Sequence, residues 1–233
     1  SRFGRLPWIA AGVLAIGLIG VSGVAWRATR PIEQPLKPLV RLDVDLGSDV
    51  SLQSIQQGSG GTNAILSPDG TRLVYASQIR LFTRRLDQPK ATELAGTEGA
   101  YAPFFSPDGQ WVAFFAQGKL KKISVEGGSA IALCDVAGGN GFGGSWGEDG
   151  NIIAALGANV PLSRVPSAGG PPTPVTEFGP GEITHRWPQI LPGGKAVLFV
   201  SHSILARWDD ATIEVMSLVD HRRKTLVRGG TFG

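Results

Sequence analysis

Cysteine is almost missing from this sequence: Cys134 is the only one in 233 residues. No intrachain disulfide can form, and a lone thiol without a partner constellation reads as a buried, inert side chain. Histidine is scarce too. His185, His202 and His221 are scattered, without the paired spacing that zinc sites use. The chain has no Gly-rich phosphate loop followed by a strand lysine, no His-Arg-Asp loop and no Asp-Phe-Gly, which excludes phosphoryl transfer by these residues. Thr231-Phe232-Gly233 is no substitute, because Thr cannot hold magnesium as a carboxylate does. A Gly-x-Ser-x-Gly elbow is also missing, so a serine hydrolase would find no nucleophile here. We expect no cofactor, metal or catalytic residue in this segment.

Charge is modest, 18% of residues, and unevenly placed. Six basic residues and one acid (Glu33) fall in residues 1–41, a balance of +5; the rest holds 16 basic and 18 acidic residues, a balance of −2. The sequence pI of about 9.2 therefore reports the N-terminal segment, and a nucleic-acid partner is not expected. An apolar fraction of 42% argues against disorder, and 33 glycines suit a turn-rich all-β domain.

Charge is missing altogether from Trp8 to Trp26, a run of 19 apolar residues that just reaches the length needed to cross a bilayer. A Trp at each end suits the interfacial belt, and Arg2, Arg5, Arg27 and Arg30 flank it. A cleaved signal peptide would have a shorter apolar core and an A-x-A site, which is not seen near Ala25. The expectation is a juxtamembrane stretch over 1–7 and a transmembrane helix over 8–27. Pro31, Pro35 and Pro38 then mark a semi-extended linker over 28–39. Val40, Leu42, Val44 and Leu46 alternate with polar residues and predict a half-buried strand.

What the remainder has in abundance is one turn. Ser67-Pro68-Asp69-Gly70 returns unaltered as Ser106-Pro107-Asp108-Gly109, and worn as Gly147-Glu148-Asp149-Gly150 and Leu191-Pro192-Gly193-Gly194. The closing glycines are 39, 41 and 44 residues apart, the signature of a repeat architecture. Ser first, Pro second and Gly fourth favour a type I turn, with the Gly free to take the left-handed conformation of a bulged hairpin. A short apolar run follows each turn, such as Trp111-Val112-Ala113-Phe114-Phe115, and reads as a strand.

The units run over about 62–99, 100–139, 140–182 and 183–230. We align Ser163-Arg164-Val165 of the third with Lys122-Ile123-Ser124 of the second, and Ala168-Gly169-Gly170 with Glu126-Gly127-Gly128. About four strands per unit is the arithmetic of a β-propeller blade. The fold expected over 40–233 is all-β, a propeller of four-stranded blades with about four blades present.

The Ser-Pro-Asp-Gly turn with its following strand resembles the Pro-Asp repeat of TolB-type propellers, relatives of the WD repeat. The order of apolar span, Pro-rich spacer, strand and repeats is similar to the C-terminal half of bacterial membrane-bound serine/threonine protein kinases. That resemblance covers residues 8–233 and implies a kinase domain upstream, with ATP and Mg as its cofactors. It also implies an inner-membrane, single-pass protein whose propeller lies in the periplasm or outside. The expected role is a non-catalytic sensor or protein-interaction domain with a protein or small-ligand partner. TolB-type propellers also serve as periplasmic scaffolds and as parts of serine peptidases, and those readings stay open. They have about six blades, so a ring incomplete at its C-terminus is expected.

Asp69, Asp108 and Asp149 recur at one turn position, where Asp bonds nearby backbone N–H groups. We read them as structural, with Ser67, Pro68, Gly70, Ser106, Pro107, Gly109, Gly150, Pro192 and Gly194, and expect successive turns to sit apart on the rim. His185 and Trp187, at the entry to the fourth unit, are the candidates for the channel or a ligand-binding face.

Overall fold

A computed structural model describes residues 46, 50, 63–203 and 208–230. The helix expected over 8–27, the linker and the strand expected over 40–46 lie outside the described residues, save Leu46, which is in no strand. Among the described residues no helix is long and apolar enough to cross a membrane. They form sixteen strands and two short 3₁₀ turns, Ala137–Gly139 and Trp208–Asp210.

The strands make four antiparallel sheets of four, each a meander of consecutive strands. The first contains β1 (Ala64–Leu66), β2 (Arg72–Ser77), β3 (Arg80–Arg85) and β4 (Thr92–Glu93). The second contains β5 (Tyr101–Phe105), β6 (Trp111–Ala116), β7 (Lys119–Ser124) and β8 (Ile131–Asp135). The third contains β9 (Gly144–Trp146), β10 (Asn151–Ala154), β11 (Ser163–Pro166) and β12 (Thr173–Pro174). The fourth contains β13 (Thr184–Ile190), β14 (Ala196–His202), β15 (Thr212–Ser217) and β16 (Arg223–Arg228). The first strands β1, β5, β9 and β13 neighbour one another in turn, as the inner strands of propeller blades do.

Why the second strand of each blade lacks the usual apolar–polar alternation is clear from its surroundings. On β6, Val112 and Phe114 face the first sheet, packing with Val74, Ala76 and Leu81. Ala113 and Phe115 face the third, packing with Ile152, Ala154 and Val165. Both faces are buried, so every position is apolar. A third core, Phe142, Ile153, Leu162, Val197, Phe199 and Met216, joins the third and fourth sheets. Cys134 packs on the second core, and burial pushes its thiol up to about 11, so it stays protonated.

All four turns have the same backbone. The closing N–H of Gly70, Gly109, Gly150 and Gly194 donates to the first residue's carbonyl at 2.8, 2.9, 3.1 and 3.0 Å. Each glycine is left-handed, with φ of 73°, 69°, 77° and 69°. The third hairpin differs beyond the turn. It is one residue shorter to β10, Gly147 N–H donating to Asn151 O where Ser106 N–H donates to Trp111 O. It is two residues longer from there to β11, Asn151 pairing with Pro166 where Trp111 pairs with Ser124. One aligned pair needs correcting as a result. Arg164 lies opposite Ile153 as Lys122 lies opposite Ala113, so Arg164, not Ser163, is the counterpart of Lys122. A slip of one residue exchanges the faces of a strand, and burying Val165 opposite Ile152 enforces this register.

Phe115 is fully buried in the second core, and its ring is so close to Gly141 that a Cβ there would lie 2.1 Å from it. Phe115→Ala should lower the unfolding free energy by roughly 3–5 kcal/mol in urea titrations. Val219→Ala, at a position 74% exposed, should change it by less than about 0.5 kcal/mol.

Candidate functional site

The repeated turns stand at one end of the blades, where their acidic side chains are consumed locally. Asp69 Oδ1 accepts from Ser67 Oγ at 2.5 Å and from Thr71 N–H at 3.0 Å. Asp108 accepts from Ser106 Oγ and from Gln110 N–H, and Asp149 from Asn151 N–H at 3.0 Å. The Ser67 hydroxyl, then the Thr71 groups, hold the Asp69 carboxyl down to about 2. Similar bonds lower Asp108, and for Asp149 the Asn151 bonds outweigh burial. A carboxylate so tied is a poor proton carrier near neutrality.

The turns do not sit apart on the rim. Pro68, Pro107, Glu148 and Pro192, one from each, line a single recess of about 400 Å³, with Phe104, Phe105 and Trp146 in its wall. Each turn joins the inner strand of its blade to the next, so the turns gather where the inner strands end. Among the described residues, Glu148 is the only ionisable one lining this recess.

The two entry-strand candidates part company. Trp187 is half-buried, at a bulge in β13 with φ of 49°, and its N–H donates to Phe142 O of the third blade at 2.9 Å. Ala102, φ 46°, and Gly143, φ 90°, occupy the same place seven residues before their closing glycines. Ala102-Pro103 and Trp187-Pro188 were a readable sign of this bulge. His185, by contrast, has no exposed surface. It lies between the rings of Phe178 and Phe199, with centroids 4.9 and 4.8 Å away.

Both nitrogens of His185 are engaged. Leu162 N–H donates to Thr176 Oγ1 at 2.9 Å, which leaves the threonine hydroxyl to donate to His185 Nδ1 at 2.8 Å. Nε2–H then donates to Glu182 Oε2 at 3.1 Å. Burial lowers the imidazole's pKa more than Glu182 raises it, so the ring is neutral at pH 7. Glu182 also accepts from Gly179 N–H at 2.6 Å and pairs with Arg223, which bridges to Glu214. Burial opposes the Glu182 charge, but Arg223, Gly179, Ser201 and His185 together hold its carboxyl down to about 2. Sequence reading missed Glu182, Glu214 and Arg223. Glu214 and Arg223 meet across β15 and β16, Glu182 joins them from just before β13, and Thr176 and the Glu177 carbonyl reach the cluster from the chain after β12. The cluster works as a clamp between the third and fourth blades.

No family model matches the chain, and no curated protein matches it in sequence. Solved propellers do match in structure. TolB from Acinetobacter baumannii aligns with a TM-score of 0.57 at 15% identity, over 72% of this chain and 43% of its own. An oligogalacturonate lyase solved with manganese gives 0.54 at 14%, over 70% and 52%. A puromycin-hydrolyzing peptidase of Mycobacterium tuberculosis gives 0.53 at 14%, over 71% and 28%. The fold is thus that of TolB-like β-propellers, and the chain spans about half or less of each of these proteins.

The clamp sets an acid limit on stability. Glu182 has a folded pKa of about 2 against an ordinary 4.5, so its contribution is complete above 4.5 and disappears as pH falls towards 2. His185, with its pKa lowered from 6.5, acts in the same sense: below 6.5 the unfolded chain binds the proton more readily. Urea titrations across pH should show stability falling through this range, and Glu182→Gln should flatten the part between 4.5 and 2. An unchanged slope in the variant would remove the clamp's claim.

Proposed function

We propose that this chain is a non-catalytic recognition propeller on a single-pass inner-membrane anchor, with the propeller in the periplasm or outside. It forms the C-terminal part of a bacterial serine/threonine protein kinase and passes binding of a protein or small ligand to the kinase domain. The observation that carries this reading is the order of parts: an uncharged 19-residue apolar run flanked by Arg, a Pro-rich spacer, then the blades. The turn-end recess supports recognition over catalysis. Its walls are proline and aromatic residues, while the repeated aspartates are tied to their own turns.

The likeness to TolB and to a peptidase propeller favours two other readings, a periplasmic scaffold and the propeller portion of a serine peptidase. The coding sequence on either side separates the three. A kinase motif set upstream is expected; an initiating Met close to Ser1, or a Gly-x-Ser-x-Gly downstream, would replace the kinase reading with the scaffold or the peptidase.

Protease added to spheroplasts should digest the blades while sparing cytoplasmic markers. Protection in spheroplasts with digestion in inverted vesicles would reverse the assigned orientation.

A further inference from the structure

Each of the three gaps between blades holds a cation at the turn end, and in the second that cation has no carboxylate partner among the described residues. In the first gap Arg72, at the start of β2, donates to Thr83 Oγ1 at 3.1 Å and to Val125 O at 3.3 Å. Its charge is met by Glu126, from the turn after β7. In the second gap Trp111 stands in the place of Arg72, and the cation comes instead from Lys122, on the face of β7 turned to the third blade. Its ammonium lies 4.7 Å from the centroid of the Trp111 ring and 5.9 Å from that of Trp146. It makes no hydrogen bond or ion pair with any described residue.

The missing partner can be located. Val125 N–H donates to Gln110 O as Ser167 N–H donates to Gly150 O, both at 3.0 Å, so Ala168 occupies the place of Glu126. In the third gap Arg164 at least has Asp149 beside it, whose pKa it helps to lower. Val219 takes the same place in the third gap, since Leu218 N–H donates to Lys195 O. Among these three cations it is thus Lys122 that has no carboxylate beside it among the described residues. The space left is an open groove of about 520 Å³ lined by Trp111, Lys122, Trp146, Glu148 and Ser167 among others.

Asp108 also borders the groove: Ser106 Oγ and Gln110 N–H both donate to its Oδ1, and Oδ2 is left to accept from a ligand donor. Glu148 is exposed and unpaired among the described residues, and so calls for hydrogen-bond donors. A ligand must therefore bring an anion for Lys122, donors for Glu148 and Ser167, and a body that packs against indole. A sugar acid meets all three: its carboxylate takes the place of the Glu126 side chain, its hydroxyls donate, and the C–H face of its ring covers the indoles. We propose that the groove between the second and third blades binds a carboxylate-bearing pyranose, a uronic acid unit of an acidic polysaccharide. This names a ligand for the recognition role and rests on that reading, but not on the anchor or its orientation.

The test is a tryptophan-fluorescence titration of the full chain in detergent with methyl glucuronide and with methyl glucoside, which lacks the carboxylate. The glucuronide should bind saturably and at least about tenfold more tightly, a factor that one charge-assisted contact supplies. Lys122→Met should abolish that preference. Ala168→Glu, at an exposed position, should block the groove from within as Glu126 fills the first gap. Circular dichroism confirms that both variants fold. Four outcomes overturn the proposal: no saturable binding, equal binding of the two glycosides, a preference that survives Lys122→Met, or an acetylated Asp-Glu amide binding as tightly as the glucuronide. The last would give the groove to acidic peptides. Loss of the sugar site leaves the membrane reading standing, since protease accessibility reads that separately.

Discussion

Everything in this domain depends on burying both faces of a sheet. A four-stranded meander with apolar residues on each side cannot be stable alone, and only another sheet of the same kind covers it. Phe114 and Phe115 are adjacent in sequence but belong to different cores, one shared with the preceding blade and one with the following. Each middle sheet is thus committed twice, and the blades stand or fall with their neighbours. The turns, recesses and polar clamp are arrangements at the ends and edges of that stack.

This constraint also decided what could be read beforehand. The Ser-Pro-Asp-Gly turns were legible because their bonds are local: Ser67, Asp69 and Thr71 satisfy one another within five residues. The strands after them were legible because double burial removes polar residues from the run. The His185 clamp was not. Arg223 lies 41 positions from Glu182, and nothing in either neighbourhood announces the other. The register of the third blade was misread for a different reason. Its hairpin has one residue fewer between Gly147 and Asn151 but two more from β10 to β11, a net shift of one that counting from the closing glycine does not detect.

The turns' position was also misjudged, and the error was topological. Treated as blade-edge features they belong on a rim; as the exits of inner strands they surround the axis. Pro68, Pro107 and Pro192 therefore share one recess although 124 residues separate the first from the last. The aspartates lose any catalytic claim by either placement, because each accepts a backbone N–H of its own turn and its carboxyl is held low.

The geometry of the turn survives the loss of the residues that announce it. Leu191-Pro192-Gly193-Gly194 has neither the serine nor the aspartate, and still closes on the same pair of backbone bonds. Once main-chain groups hold the turn, the side chains around it are released from structural duty. The first residue of each second strand shows the result, being Arg72, Trp111, Asn151 and Ala196 in the four blades. Duplication supplied identical sockets, and substitution could then specialise each one without risk to the frame. A repeat domain of this kind acquires new recognition chemistry one blade at a time.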